Sequence, residues 1–334
     1  MERRNVYVVG AGFSVGLGFP MTTNLLVDVW DRLTREVREN LAKVISFHNP
    51  GFRPARRTTF PYIEDLLTQI AVNLEMFDSS RTTTGNFTKA DLIDAREELL
   101  TEIAKWFHEL FQESGEPEWL KRFAERVIRE KAVVVSFNWD LILDEMLFGG
   151  DVAPENYGLG KASEGPILLK PHGSLNWYEE DQIAKVAEEK RVTLHKRTKE
   201  YPAVQAFVHP RHIVSKTGRR YTPLIVPPQY LKDFSRPISK SVWRSCVEAL
   251  SVAPEVFFLG YSLPGSDLQA QFIMRCGFYN QSEGLPASPK RKGATGPARV
   301  CIVNPDRASA QRIEGVLRSG QKCVWEPQKV EEWV

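Results

Sequence analysis

A set of short apolar runs, each halted by glycine or by polar residues, constrains this chain more than any other feature. Val6-Tyr7-Val8-Val9 stops at Gly10, and Ala132-Val133-Val134-Val135 stops at Ser136-Phe137-Asn138-Trp139-Asp140. Ile167-Leu168-Leu169 gives way to Lys170-Pro171-His172-Gly173-Ser174, Val256-Phe257-Phe258-Leu259 to Gly260-Tyr261-Ser262, and Val300 to Val303 to Asn304-Pro305-Asp306. Runs without polar alternation suit strands covered on both faces. Helical patterns follow, over Thr22 to Val37, Leu141 to Leu147, Asp267 to Phe278 and Ala308 to Leu317. Strands alternating with helices predict an α/β fold, a Rossmann-like parallel sheet with helices on both faces. Ligands of such sheets bind beyond the carboxyl ends of the strands, where the polar turns lie.

The Rossmann-like domain is expected to draw on residues 1–40, 131–178 and 240–334. Residues 41–130 read as a helical insertion. Ile63, Leu66, Leu67, Ile70 and Leu74 form one apolar stripe, Leu99, Leu100, Ile103, Phe107, Leu110 and Phe111 another, and Trp119 to Ile128 a further helix. Arg81 to Gly85 reads as a loop between them. The stripes exceed what a small excursion needs, which suggests packing between subunits of a homo-oligomer. Residues 179–239 are polar and rich in charge and proline around the apolar island Leu224-Ile225-Val226, and read as a charged insertion or lid. Gln281 to Pro297 reads as a loop.

Charge excludes some function classes. Lys+Arg number 44 against 42 Asp+Glu, a net charge of +2, so no global grip on nucleic acid is expected. Basic clusters at Lys190 to Lys199 and Arg211 to Arg220 suggest it only weakly, since no aromatic stacking pattern accompanies them. No apolar run approaches the ~20 residues of a membrane span. Val6 to Val9 is too short for a signal-peptide core. Cys246, Cys276, Cys301 and Cys323 are widely spaced with no C-x-x-C pair, which speaks against a zinc ribbon and for buried apolar cysteines in a cytoplasmic protein.

The first turn, Gly10-Ala11-Gly12-Phe13-Ser14 continuing to Gly16, Gly18 and Pro20, joins strand to helix. Glycines permit close approach to a pyrophosphate, a helix N-terminus offers amides, and Ser14 adds a hydroxyl. The spacing is G-x-G-x-x-x-G, and no acidic residue ends a second strand ~20 residues on, which argues against a hydride-transferring dehydrogenase. Phosphate binding is preferred here over a plain tight turn. Asn138 and Asp140 suit helix capping and catalysis equally. His172 can serve as a base near neutral pH, or be an ordinary loop histidine. The histidines at 48, 108, 195, 209 and 212 read as fillers.

Taken together, Gly10-Ala11-Gly12-x-Ser14 with Gly18-x-Pro20, Ser136 to Asp140, His172-Gly173, Gly260-Tyr261-Ser262 and Ile302-Val303-Asn304 resemble the sirtuins, motif by motif and in the same order. The resemblance implies that NAD is the substrate. Gly10, Ala11, Gly12 and Ser14 would hold its phosphates, with Pro20 in the same turn. Asn138 and Asp140 would face the nicotinamide and its ribose, His172 would act as base, and Gly260, Ser262 and Asn304 would line the adenosine half. The chain lacks the four-cysteine zinc module of sirtuin deacylases, carries Met21-Thr22-Thr23 where their phenylalanine–arginine pair stands, and replaces their peptide cleft with the two insertions. In these departures it is similar to bacterial sirtuin-like NADases of antiphage defence. That branch implies cleavage of the nicotinamide–ribose bond without zinc, and a partner such as a helicase-like ATPase encoded nearby. The alternatives are an NAD-dependent protein deacylase and a non-catalytic nucleotide-sensing subunit.

Overall fold

The computed structural model describes residues 2–76, 88–149, 153–159, 163–179, 192–195, 205–208, 223–228, 230, 237–284 and 296–334. In chain order the strands are β1 (Val6–Val9), β2 (Val133–Ser136), β3 (Ile167–Leu169), β4 (Trp177–Glu179), β5 (Val192–His195), β6 (Gln205–Val208), β7 (Glu255–Leu259), β8 (Arg299–Val303) and β9 (Lys322–Glu326). The α-helices are α1 (Ala11–Ser14), α2 (Leu25–Val29), α3 (Arg35–His48), α4 (Ile63–Met76), α5 (Lys89–Glu113), α6 (Glu118–Glu130), α7 (Ile142–Phe148), α8 (Pro237–Val252), α9 (Leu268–Glu283), α10 (Arg307–Glu314) and α11 (Val330–Trp333).

Six strands form one sheet in the order β3-β2-β1-β7-β8-β9, every neighbouring pair parallel. The chain builds outward from β1 through β2 to β3, then outward from β7 in the opposite sense. Parallel crossovers are right-handed, so this reversal puts the two sets of connecting helices on opposite faces. The result is the doubly wound Rossmann-like order, with its topological switch point between β1 and β7. β4, β6 and β5 form a separate antiparallel sheet.

Packing explains why these runs become central strands. All four side chains of β1 are buried. Tyr7 is paired in register with Phe257, and their rings stack at 4.8 Å. Its hydroxyl donates to Glu130 at 2.8 Å, so the one polar atom on this strand face is satisfied. In α6, Trp119, Leu120, Phe123, Ala124 and Val127 make one buried face, and Lys131, left-handed at φ 49°, turns the chain toward β2.

Several expectations change. The helix read over Thr22 to Val37 is broken, because Leu33 is extended and the Thr34 side chain accepts from the Val37 amide to start α3 afresh. The stripes expected to pack between subunits are largely used within the chain: Ile63, Leu66, Leu67, Ile70, Leu99, Leu100, Ile103 and Phe111 are buried where the insertion helices pack on one another. β9 was not anticipated. It is an edge strand whose Lys322, Cys323 and Val324 are exposed, so it lacks the apolar run that marks the others. Of the cysteines only Cys246 is buried; Cys276 and Cys301 are half-buried and Cys323 is exposed. The loop at Arg81 to Gly85 and most of the basic clusters lie outside the described residues, as does the middle of the loop read at Gln281 to Pro297.

The switch point is closed by backbone meeting backbone. The Gly12 amide donates to the Gly260 carbonyl at 2.9 Å. A Cβ on Gly12 would lie 2.8 Å from that oxygen, and one on Gly260 only 2.4 Å from the Phe13 nitrogen. Gly260 also has φ +59°, which L-residues adopt reluctantly. Gly260→Ala is therefore expected to lower stability by roughly 2–4 kcal/mol through overpacking and backbone strain. Urea unfolding monitored by tryptophan fluorescence checks this; an unshifted midpoint would mean the two turns separate freely.

Candidate active site

Ladder hydrogen bonds continue one residue past the strands at their carboxyl ends. Gly10 N donates to Leu259 O (3.3 Å), Phe137 N to Val9 O (3.0 Å) and Gly260 N to Val303 O (3.0 Å). The polar turns are thus held in register, and they surround a cleft that opens to solvent. Gly10, Ala11, Ser14, Pro20, Asn138, Asp140, His172 and Ser262 line it. Gly12 and Gly260 do not; they form the backbone contact beneath. Asn304 also lies off the cleft: its Nδ2 donates to Tyr261 O (3.2 Å), its Oδ1 accepts from Asp306 N (2.9 Å), and its carbonyl accepts from Trp325 Nε1 (2.9 Å).

The first turn is less open to an anion than its glycines suggest. α1 has four residues, the Gly12 amide is held by Gly260 O, and the Phe13 amide donates to Gly10 O at 2.9 Å. The Ser14 hydroxyl is engaged as well. It donates to Asp140 Oδ2 at 2.7 Å and accepts from Asn138 Nδ2 at 3.1 Å. Asn138 Nδ2 also donates to Gly10 O at 2.9 Å. Both hydrogens of that amide are used, which fixes its plane and leaves Oδ1 as the acceptor. α7 begins at Ile142 with Leu141 at its N-cap, so Asn138 lies outside the capping position. Asp140 stands one residue before that N-cap, and its Oδ1 accepts from the Ile142 amide at 3.2 Å. Burial pushes the Asp140 carboxyl above the usual carboxylate range, against the opposing pull of Lys170 and of the Ser14 hydrogen bond.

His172 sits at the end of an aromatic row. Tyr261 stacks on Phe137 at 4.5 Å, and the His172 ring meets Phe137 edge-on at 5.0 Å. Its Nε2 lies 3.1 Å from Asp267 Oδ2. Gly173, at φ +77°, passes so close to Leu224 O that a Cβ would fall 1.9 Å from it, and Val226 N donates to His172 O at 2.7 Å. The Leu224-Ile225-Val226 segment therefore clamps the histidine turn. Two donors on cleft-lining residues, Tyr261 OH and Trp139 Nε1, are buried without a hydrogen-bond partner among the described residues. Burial, reinforced by Asp267 and Glu64, also raises the Tyr261 hydroxyl well above its ordinary pKa, so it remains a donor.

Sequence reasoning missed Asp267 and Lys170. Lys170, fully buried, places Nζ 2.6 Å from Asp140 O, 2.8 Å from Asp144 Oδ2 and 2.6 Å from Ser174 Oγ. An ammonium has three hydrogens, so these three acceptors complete it, and Trp139 O at 3.5 Å is the remainder. Asp144 Oδ1 accepts from Tyr157 OH at 2.6 Å, whose oxygen accepts from Asn176 Nδ2 at 3.1 Å. A lysine directly after an apolar strand was the available signal. The lining also has a sign: Glu64, Asp140 and Asp267 face the cleft, and no Lys or Arg lines it among the described residues. Glu64 comes from the first turn of α4 and accepts from Ser266 Oγ at 2.9 Å.

No protein-family model and no curated protein sequence matches the chain. Among solved structures it is similar to a Sir2 homologue in complex with NAD, at 13% identity and a TM-score of 0.44 over 98% of this chain and 85% of that one. A Sir2 homologue variant with ADP-ribose gives 13%, 0.45, 98% and 87%. A Sir2 complex with an inhibitor, 2′-O-acetyl-ADP-ribose and a deacetylated peptide gives 14%, 0.36, 99% and 90%. Likeness at this level says nothing about activity; the fold stands on the sheet order itself.

Removing the Lys170 ammonium strands a buried carboxylate. Lys170→Met is expected to cost about 3–5 kcal/mol, and adding Asp144→Leu should restore part of it. Chemical denaturation of the single and double variants measures both; equal stability of Lys170→Met and the parent would remove the ion pair from the account.

Proposed function

We propose that the chain is an NAD⁺ glycohydrolase that splits the nicotinamide–ribose bond to give ADP-ribose and nicotinamide. The observation that carries this reading is the convergence of Asn138, His172 and the Ser14–Asp140 pair on one acid-lined cleft at the switch point. A cleft with three carboxylates and no cation among its described residues suits the positively charged nicotinamide–ribose end better than the pyrophosphate. The buried Tyr261 hydroxyl, without a partner among the described residues, is a donor available to a substrate oxygen.

In the proposed step water attacks the ribose C1′ while the C–N bond breaks. The bonding pair passes to the ring nitrogen, so nicotinamide leaves neutral and needs no acid. Positive charge builds on the ribose as an oxocarbenium-like centre. The fixed Asn138 Oδ1 orients the water and faces that charge with no reorganisation. His172 accepts the proton the water loses. With the Gly12 and Phe13 amides and the Ser14 hydroxyl already engaged, Ser14 in this reading fixes Asn138 and Asp140 and does not grip phosphate.

The zinc-free motif set carries the reading on to antiphage defence, for which NAD⁺ loss in infected cells is the readout. With purified protein, alone and with the product of its genomic neighbour, NAD⁺ should yield equal amounts of nicotinamide and free ADP-ribose. Acyl-ADP-ribose formed with an acylated peptide would instead identify a deacylase. His172→Ala and Asn138→Ala are each expected to lose ~10²–10⁴-fold in turnover with thermal stability near the parent's. NAD⁺ loss at the parental rate in either variant would overturn its role.

A further inference from the structure

We propose that Asp267 is a positioning residue for His172, holding the imidazole in one tautomer so that Nδ1 is its basic nitrogen. The inference rests on the reading of His172 as the base. Asp267 is 3% exposed and lines the same cleft. Oδ1 accepts from the Ala270 amide at 3.1 Å as the N-cap of α9, and Oδ2 lies 3.1 Å from His172 Nε2. The cap bond fixes the carboxylate, and a sixteen-residue helix beginning there favours its negative charge. A carboxylate accepts only, so Nε2 must carry the hydrogen, and the lone pair of the neutral ring then sits on Nδ1.

The ring has little freedom to do otherwise. Phe137 packs against it at a steep angle, Trp243 lies 6.1 Å away, and the Trp243 indole donates to Pro171 O at 2.8 Å, steadying the residue before it. As the imidazole takes a proton, the adjacent carboxylate stabilises the cation that forms. The other titratable groups on this cleft are Glu64 from α4, Asp140 after β2 and Tyr261 after β7. Asp140 is bound to Ser14 and Ile142, and Glu64 to Ser266. Among the described residues, Asp267 is the carboxylate that pairs with the histidine.

The test compares Asp267→Asn with Asp267→Ala. Asparagine caps helices as well as aspartate does, so Asp267→Asn keeps the fold while removing the charge. With ¹⁵N-labelled histidine, and His172→Ala used to assign its signals, the parent should show the Nε2–H tautomer. In Asp267→Asn the His172 titration midpoint should fall by about one pH unit. For NAD⁺ cleavage, kcat should drop at least ~10-fold with KM near the parent's, and the acid limb of the pH–rate profile should move to lower pH with the midpoint. Asp267→Ala should show the same losses plus a lower melting temperature. An unmoved midpoint, or a parent in the Nδ1–H tautomer, would overturn the proposal and leave Asp267 a helix cap. If the parent does not turn over NAD⁺, the hydrolase reading fails, and the NMR comparison still decides the pairing.

Discussion

The close approach of two glycine-bearing turns at the β1–β7 switch point is the constraint on which the rest depends. Backbone lies against backbone there, with Gly12 N bonded to Gly260 O and no room for a Cβ on either residue. That contact sets where Tyr261 emerges, and Tyr261 stacks on Phe137, which in turn meets His172. The same turn continues through Ser262 to Asp267. Glycines at this position usually invite a phosphate-binding explanation. Here a steric explanation accounts for Gly12 and Gly260 without a ligand, and the chemistry-bearing side chains inherit their positions from it.

A second constraint is electrostatic. Lys170 is an ammonium sealed from water, and it is held by a carboxylate, a hydroxyl and a backbone carbonyl of the very loop that carries Asn138 and Asp140. A buried ion pair contributes little net stability because desolvation offsets most of its attraction. Its consequence is geometric: only one loop arrangement satisfies all three hydrogens. Asp140 gains from the same cation, which opposes the effect of burial on its carboxyl. The loop is therefore tied from below by Lys170 and from the side by Ser14.

Much of this was legible in the sequence because strands buried on both faces must be apolar and must stop where the chain turns polar. β1, β2, β3, β7 and β8 announce themselves in that way, and the turns after the first four hold the cleft. β9 does not, since an exposed edge strand needs no apolar run. The break at Thr34 was hidden because apolar spacing alone does not register a capping side chain. At the site, residue type indicated which turns matter but not which atoms are free. Ser14 looked like a phosphate donor and is bonded at both donor and acceptor. Asn304 looked like a ligand contact and is bonded to Tyr261 O and Asp306 N. Asp267 lies outside every motif noticed, and its pairing with His172 joins residues 95 positions apart, a relation that only three dimensions reveal.

The sign of the cleft bears on how a hydrolase of this kind would gain rate. At ~6 Å and an effective dielectric of ~20, a carboxylate attracts a unit positive charge by roughly 3 kcal/mol. In the substrate that charge resides on the nicotinamide ring; in the transition state it has moved to the ribose. Attraction felt equally in both states tightens binding and leaves turnover unchanged. Only a carboxylate nearer to C1′ than to the ring lowers the barrier. Asp140 shares its loop with Asn138, and Asp267 stands beside His172, whereas Glu64 reaches the cleft from the first turn of α4. On the proposed reading the first two follow the migrating charge, and Glu64 belongs with recognition of the cationic substrate before the bond breaks.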